Sequence, residues 1–231
     1  MAKQMKSTQT PDLLKLFGKF DPEVPLHYKI NFIATHLSYA LRGILTLGLS
    51  KGSSSFFFRY PRAKLLCKSR IRVGSKVRIG FNVVIDGLGK KGVTLGANTK
   101  IGDYSRLICS GTLSNIGSHI DIGENVGIGE FCRIGGSGGV TIGKNTIAGQ
   151  YLSIHPENHI FSDKGKLIKD QGTIRSEIRI GQNCWIGAKV TILAGSEIGD
   201  SCVIAAGSVV SGKFPSHSVI GGVPAKLIKS Y

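Results

Sequence analysis

Aliphatic side chains return every sixth residue along most of the chain. The runs are Val73, Ile79 and Ile85; Leu95, Ile101, Leu107 and Leu113; Ile122, Ile128 and Ile134; Ile142, Ala148 and Ile154; and Ile180, Ile186, Ile192, Ile198, Ile204 and Val210. A helix buries residues at three- and four-residue steps, which these runs do not supply. A period of six suits a short strand and a turn, repeated, which predicts a solenoid with nineteen inward anchors. Only Ala148 lacks a branched aliphatic chain, so its coil is expected to be narrower or slightly out of phase.

The residue four places after an anchor is also expected to point inward, and it is small: Val77, Val83, Thr99, Ser105, Val126, Cys132, Cys184, Val190, Ser196 and Cys202. Glycine commonly follows the anchor, which suits a corner between flat faces. Asn82, Asn98, Asn125, Asn145 and Asn183 fit left-handed backbone at a corner. One hexad cannot bury its own apolar face, so successive turns must stack on one another.

The pattern divides the 231 residues into a basic helical or irregular segment (1–70), the solenoid (71–214) and a tail (215–231). A helix over Phe32–Leu47 is expected to cap the open first coil, which otherwise invites edge-to-edge pairing. The first twenty residues are polar and broken by Pro11 and Gly18, so no secretory leader is legible. The most apolar stretch, Leu37 to Leu49, contains Arg42 and is too short to span a bilayer. Cys132, Cys184 and Cys202 fall on inward positions and read as packing residues, while Cys67 and Cys109 carry no assignment. Nothing suggests a disulfide framework, so the expected location is the cytoplasm.

The net charge is +16, unevenly placed: between Val24 and Ile85 there is no acidic residue. One reading is a peripheral contact with anionic lipid on the inner face of the membrane, aided by Phe56, Phe57 and Phe58 beside Arg59 and Tyr60. The other is a soluble basic face with the phenylalanines buried under the helix. No nucleic-acid module accompanies the charge, so no nucleic-acid partner is expected.

Function is expected where the period fails, because insertions leave a repeat scaffold as loops. Asp86–Gly92 and Gly135–Gly139 are short glycine-rich breaks. The long one, 155–177, carries His155 and His159. An imidazole with an ordinary pKa near 6.5 can take a proton from a hydroxyl near neutral pH.

The segments SIHPENHIFSDKGKLIKDQG, IRIGQNCWIGAKVTILAGSEIGDSCVIAAGSVV and VIGGVPAKLIK closely resemble the sugar O-acetyltransferases of the hexapeptide-repeat superfamily. The resemblance is specific over about the last eighty residues and generic upstream. It implies an all-β, left-handed parallel β-helix of about six turns with a short α-helical N-terminal segment. General rules on crossovers favour the opposite hand, so handedness rests on the resemblance alone.

The resemblance further implies a homotrimer in which a loop histidine deprotonates a sugar hydroxyl. That hydroxyl attacks the thioester of acetyl-CoA directly, without an acyl-enzyme, and no metal is required. The acceptor is expected to be a sugar or a polysaccharide precursor. In the polysaccharide-modifying branch the base sits in an N-H-x-F pattern followed by an acidic residue and Q-G. Asn158, His159, Phe161, Asp163, Gln171 and Gly172 match it. In the galactoside and maltose branch the base precedes a proline, as His155 precedes Pro156. Spacing to Trp185 favours His159 and leaves His155 as the alternative.

Related enzymes hold acetyl-CoA along the helix, between two subunits. The matching residues here are Trp185 and Ala188, with backbone N–H groups nearby, and Ala206, whose small side chain leaves room for the pantetheine arm. Ser211, Lys213, Lys226 and Lys229 are the candidates near the coenzyme's phosphates. The family's Thr-Lys-Asp is replaced by Ser211-Gly212-Lys213-Phe214, which displaces the lysine by one position. Three rival readings are a zinc enzyme resembling the γ-class carbonic anhydrases, with His119 as a third imidazole, an acetyltransferase acting on a different small acceptor, and a non-catalytic scaffold.

Overall fold

The computed structural model describes residues 20–231; the polar stretch with Pro11 and Gly18 lies outside the described residues. The chain winds as a left-handed parallel β-helix of triangular section. Its faces are sheet I (nine strands), sheet II (seven) and sheet III (seven), visited in the order III, I, II on every coil. One such coil runs through Gly117–Ile122 in sheet III, Gly127–Ile128 in sheet I and Arg133–Gly135 in sheet II.

Parallel register stacks equivalent residues. On sheet I, Ile101, Ile128, Ala148, Ile186, Ile204 and Ile220 form one inward column. Eighteen of the nineteen expected anchors are buried, Ala148 being the most accessible of them at 9%. All ten small inward positions are buried as well. The five corner asparagines all take positive φ, between 52° and 61°. Asn98, Asn125 and Asn145 link neighbouring coils through amide bonds of 3.1 Å. At the next corner the rings of Tyr104, Phe131 and Tyr151 stack at 5.1 and 5.2 Å.

Leu113 departs from the expected pattern. It keeps the six-residue step, yet the chain has already left the coil after Ile108, and the leucine is 85% exposed in the loop that follows. Replacing Leu107 with alanine is therefore expected to cost about 2–5 kcal/mol of stability. The same change at Leu113 is expected to stay within about 0.5 kcal/mol. Urea unfolding of the two variants checks the contrast.

Helix α1 spans Leu26–Ile44 rather than Phe32–Leu47. It begins directly after Pro25, whose fixed φ of –59° suits a helix start, so the apolar run need not begin it. It ends ahead of Gly48, which takes a φ of 79°. His36, Tyr39, Ala40 and Gly43 form its buried face. Gly43 is obligatory there, because a Cβ would lie 1.8 Å from the Phe57 carbonyl oxygen. Phe57 and Phe58 are fully buried, with Phe58 under the helix beside Tyr39 and Ala40. Phe57 and Phe58 are thus core, with Phe56 half-buried beside Phe58, so the two buried rings are withheld from any membrane contact. No described helix is long and apolar enough to cross a membrane.

Candidate active site

The insertion leaves the corner between sheets II and III, at the end of the strand Ser153–His155. Its base is an antiparallel hairpin in which Glu157–His159 pairs with Thr173–Arg175. Arg175 pins that hairpin: its Nε meets Glu157 Oε2 at 2.5 Å, and its Nη atoms donate to Asn115 and Ile116. The Gln171 amide closes the outer loop. Its Nε2 donates to the carbonyls of Asp163 and Lys166, and its Oε1 accepts from the Asp163 N–H at 3.0 Å. Two residues of the N-H-x-F…Q-G pattern therefore hold the shape of the loop that carries His159.

His155 and His159 line one cleft of 280 Å³ with Arg133, Ser137, Cys109 and Glu157. His155 projects from the outer face of sheet II, and its Nε2 lies 2.7 Å from Ser153 Oγ. Partial desolvation, then the Arg133 charge, hold its pKa below the ordinary 6.5. The imidazole is therefore neutral at neutral pH. His159 is exposed on the hairpin, and its ring has no hydrogen-bond partner among the described residues.

Arg133 is thus expected to depress the titration of His155, and Arg133→Gln to raise it. Imidazole NMR signals followed across pH check this; a His155 midpoint at or above 6.5 in the parent protein contradicts it.

Cys109 lies in the same cleft, where a thiol nucleophile would mean an acyl-enzyme. Burial, reinforced by the charges of Asp86 and Asp121, pushes its thiol up to about 12. It is a thiol, not a thiolate, at neutral pH. His119 is buried behind this corner, with its ring 2.8 Å from Ser118 Oγ and 3.5 Å from Glu177 Oε1. The geometry of a third surface imidazole, which the zinc reading needs, is not what His119 presents.

The remaining sequence-derived residues fall into two groups. Trp185 projects from sheet I, 58% exposed, in a row with Ile147, Val203, Val219 and Lys229. Ala188 and Ala206 stack at the corner between sheets I and II. The fit is tight: a Cβ on Gly187 would lie 2.5 Å from the Ala206 nitrogen. The N–H groups of Ala188 and Ala206 have no partner among the described residues. Lys226 is exposed on the last strand of the same sheet.

Ser211 and Lys213 sit elsewhere, in and just before the C-terminal edge strand of sheet III, where Lys213 Nζ pairs with Glu197 Oε2 at 3.1 Å. Arg133, in the cleft, and Ser153, which hydrogen-bonds His155, are the residues that sequence reasoning missed. Both occupy outward positions, one before a buried anchor, which the six-residue period leaves unconstrained.

Residues 177–212 match the family model described as bacterial transferase hexapeptide (six repeats). The chain is similar to a protein of Mycobacterium tuberculosis assigned as an acetyltransferase, with 33% identity over 145 residues, 61% of this chain and 48% of that protein. It is also similar to WbbJ of Escherichia coli strain K12, assigned as a lipopolysaccharide biosynthesis O-acetyl transferase. There the identity is 38% over 115 residues, 47% of this chain and 59% of WbbJ. The chain spans about half the length of the curated relatives it matches. Among solved structures it resembles a hexapeptide-repeat acetyltransferase of Vibrio cholerae complexed with acetyl coenzyme A. That match has a TM-score of 0.51 and 27% identity, covering 59% of this chain and 69% of the other. In its repeat, its three-sided coil and these likenesses, the chain is similar to the hexapeptide-repeat acetyltransferases.

Proposed function

We propose that the protein transfers an acetyl group from acetyl-CoA to a hydroxyl of a sugar, in the building of a surface polysaccharide. The carrying observation is the cleft in which two imidazoles meet beside Arg133, above a scaffold whose neighbouring corner leaves N–H groups open. The likeness to WbbJ supports a sugar hydroxyl as acceptor, and the acetyl-CoA complex of the Vibrio relative supports the donor.

In this proposal His159 removes the proton as the acceptor oxygen attacks the thioester carbonyl. Backbone N–H groups near Trp185 and Ala188 bond the developing oxyanion. The departing thiolate then takes the proton back from the imidazolium, so the enzyme returns unchanged. Neutral His155, held by Ser153, orients the acceptor without adding a second positive charge beside Arg133. The pantetheine arm follows the corner at Ala188 and Ala206, beside the row of Trp185, Val203 and Val219, and Lys229 and Lys226 meet the phosphates.

We place this reaction in a homotrimer. Trp185 and His155 project from different faces of the β-helix, on successive coils, which supports a site shared between chains. A second copy can bring its hairpin to the first copy's sheet I. Phe161, Leu167, Ile168 and Ile174 are exposed apolar residues of the insertion, which supports a subunit contact there. The five cysteines are free, which agrees with a cytoplasmic location, and we place the protein at the inner face of the membrane.

The test is calorimetric titration with acetyl-CoA, followed by acetyl transfer to a panel of sugars. Binding with sugar-dependent release of CoA supports the proposal; no binding, or hydrolysis indifferent to any sugar, sinks it.

A further inference from the structure

Helix α1 has two apolar faces, and the core uses only one. The other is a stripe of Leu26, Ile30, Leu37, Leu41 and Ile44, whose spacing of four, seven, four and three residues keeps them on one side of the helix. They are exposed by 72, 59, 42, 55 and 49%. Just past the helix, Leu45 and Leu47 continue the apolar surface at 67 and 76% exposure. A run of this size on the outside of a protein marks a contact.

Beside it, at Ser50, opens a cleft of 400 Å³. Arg70, Arg72, Lys90 and Lys91 line it, with Asp121 as its carboxylate. Arg70 Nη1 donates to the Gly89 carbonyl oxygen at 2.7 Å, which fixes one guanidinium at the mouth. Around this end of the coil, from Val24 to Ile85, the chain carries eleven lysines and arginines and no acidic residue.

We infer that this end of the β-helix docks on an anionic lipid bilayer. The α1 stripe with Leu45 and Leu47 enters the headgroup boundary, and the four-cation cleft receives lipid phosphates. The helix lies on the membrane and does not cross it, in line with its length and its basic surroundings. A second copy of the same face is disfavoured as the occupant, because it would set uncompensated positive charge against itself. An anionic surface complements both features. The inference deepens the peripheral location proposed above and does not depend on the transfer chemistry.

The full chain is sedimented with vesicles of phosphatidylcholine, and with vesicles of equal parts phosphatidylcholine and phosphatidylglycerol. The parent protein is expected to partition onto the anionic vesicles only. Leu37→Glu with Leu41→Glu, and separately Lys90→Glu with Lys91→Glu, are each expected to weaken that partition about tenfold or more. The lysine pair is wholly on the surface, so it tests the docking even where the leucine pair harms folding. Melting temperature, size by light scattering and acetyl transfer in solution are expected to stay as in the parent. If the parent binds no vesicle, both the docking and the peripheral location are wrong. If it binds and both pairs bind equally well, this surface is wrong and the location stands. If the leucine pair shrinks the assembly, the stripe is a contact between copies and the inference is overturned.

Discussion

His159→Ala is expected to lower kcat/KM for acetyl transfer to a sugar by about 10²- to 10⁴-fold, the usual worth of a general base. A sugar hydroxyl is a poor nucleophile at neutral pH, and its proton must go somewhere as the new C–O bond forms. In the proposed site an imidazole at the acceptor oxygen supplies that path, since the nearby thiol, at about 12, holds its own proton and Glu157 is engaged by Arg175. The ring of His159 makes no hydrogen bond among the described residues, so its loss leaves no buried group unpaired and the melting temperature should not move. Acetyl-CoA affinity should also persist. His155→Ala is expected to cost less, about tenfold, and to act through acceptor KM as an orienting group would. If His155→Ala abolishes turnover and His159→Ala spares it, the roles are reversed and the base is the imidazole before Pro156. If both variants turn over normally, neither is the base.

That outcome depends on residues the sequence pointed to by interruption rather than by pattern. A six-residue period states which side chains are inside, and eighteen buried anchors follow from it. It is silent about where the chain leaves the coil, because a step of six inside a loop looks the same, as Leu113 demonstrates. It is equally silent about hand, since a coil of either sense buries the same residues; resemblance supplied that. The asparagine corners were legible because few side chains tolerate positive φ. Arg133 and Ser153 were not, because an outward position accepts almost any residue and only three-dimensional register sets them against His155. The phenylalanine cluster was ambiguous for the same reason, until α1 was seen to cover it. Lys213 illustrates the converse. Its family position suggested phosphate, and register sets it opposite Glu197, with which it pairs on the surface, a neighbour the six-residue period does not reveal.

Mixing two inactive variants is expected to restore activity, and this tests the division of the site between chains. Ala206→Trp fills the corner along which the pantetheine arm is proposed to run; Ala206 is exposed there, so a large side chain blocks the groove without disturbing the core. That variant keeps His159 but should not bind acetyl-CoA. His159→Ala keeps the groove and lacks the base. Each alone is expected to be nearly inactive. In trimers assembled at random from equal amounts of both, a site works when its histidine comes from an Ala206→Trp chain and its groove from the neighbouring His159→Ala chain. Each condition holds for half the chains, so about a quarter of parental activity should return, as cyclic symmetry requires of a site shared head to tail. The mixture must be co-expressed or refolded together, because preformed homotrimers have no reason to exchange. A site built within one chain behaves differently, since every chain then carries one lesion and mixing restores nothing. The size of the recovered activity thus reports whether the imidazole and the groove belong to the same chain, which the outward directions of Trp185 and His155 argue against.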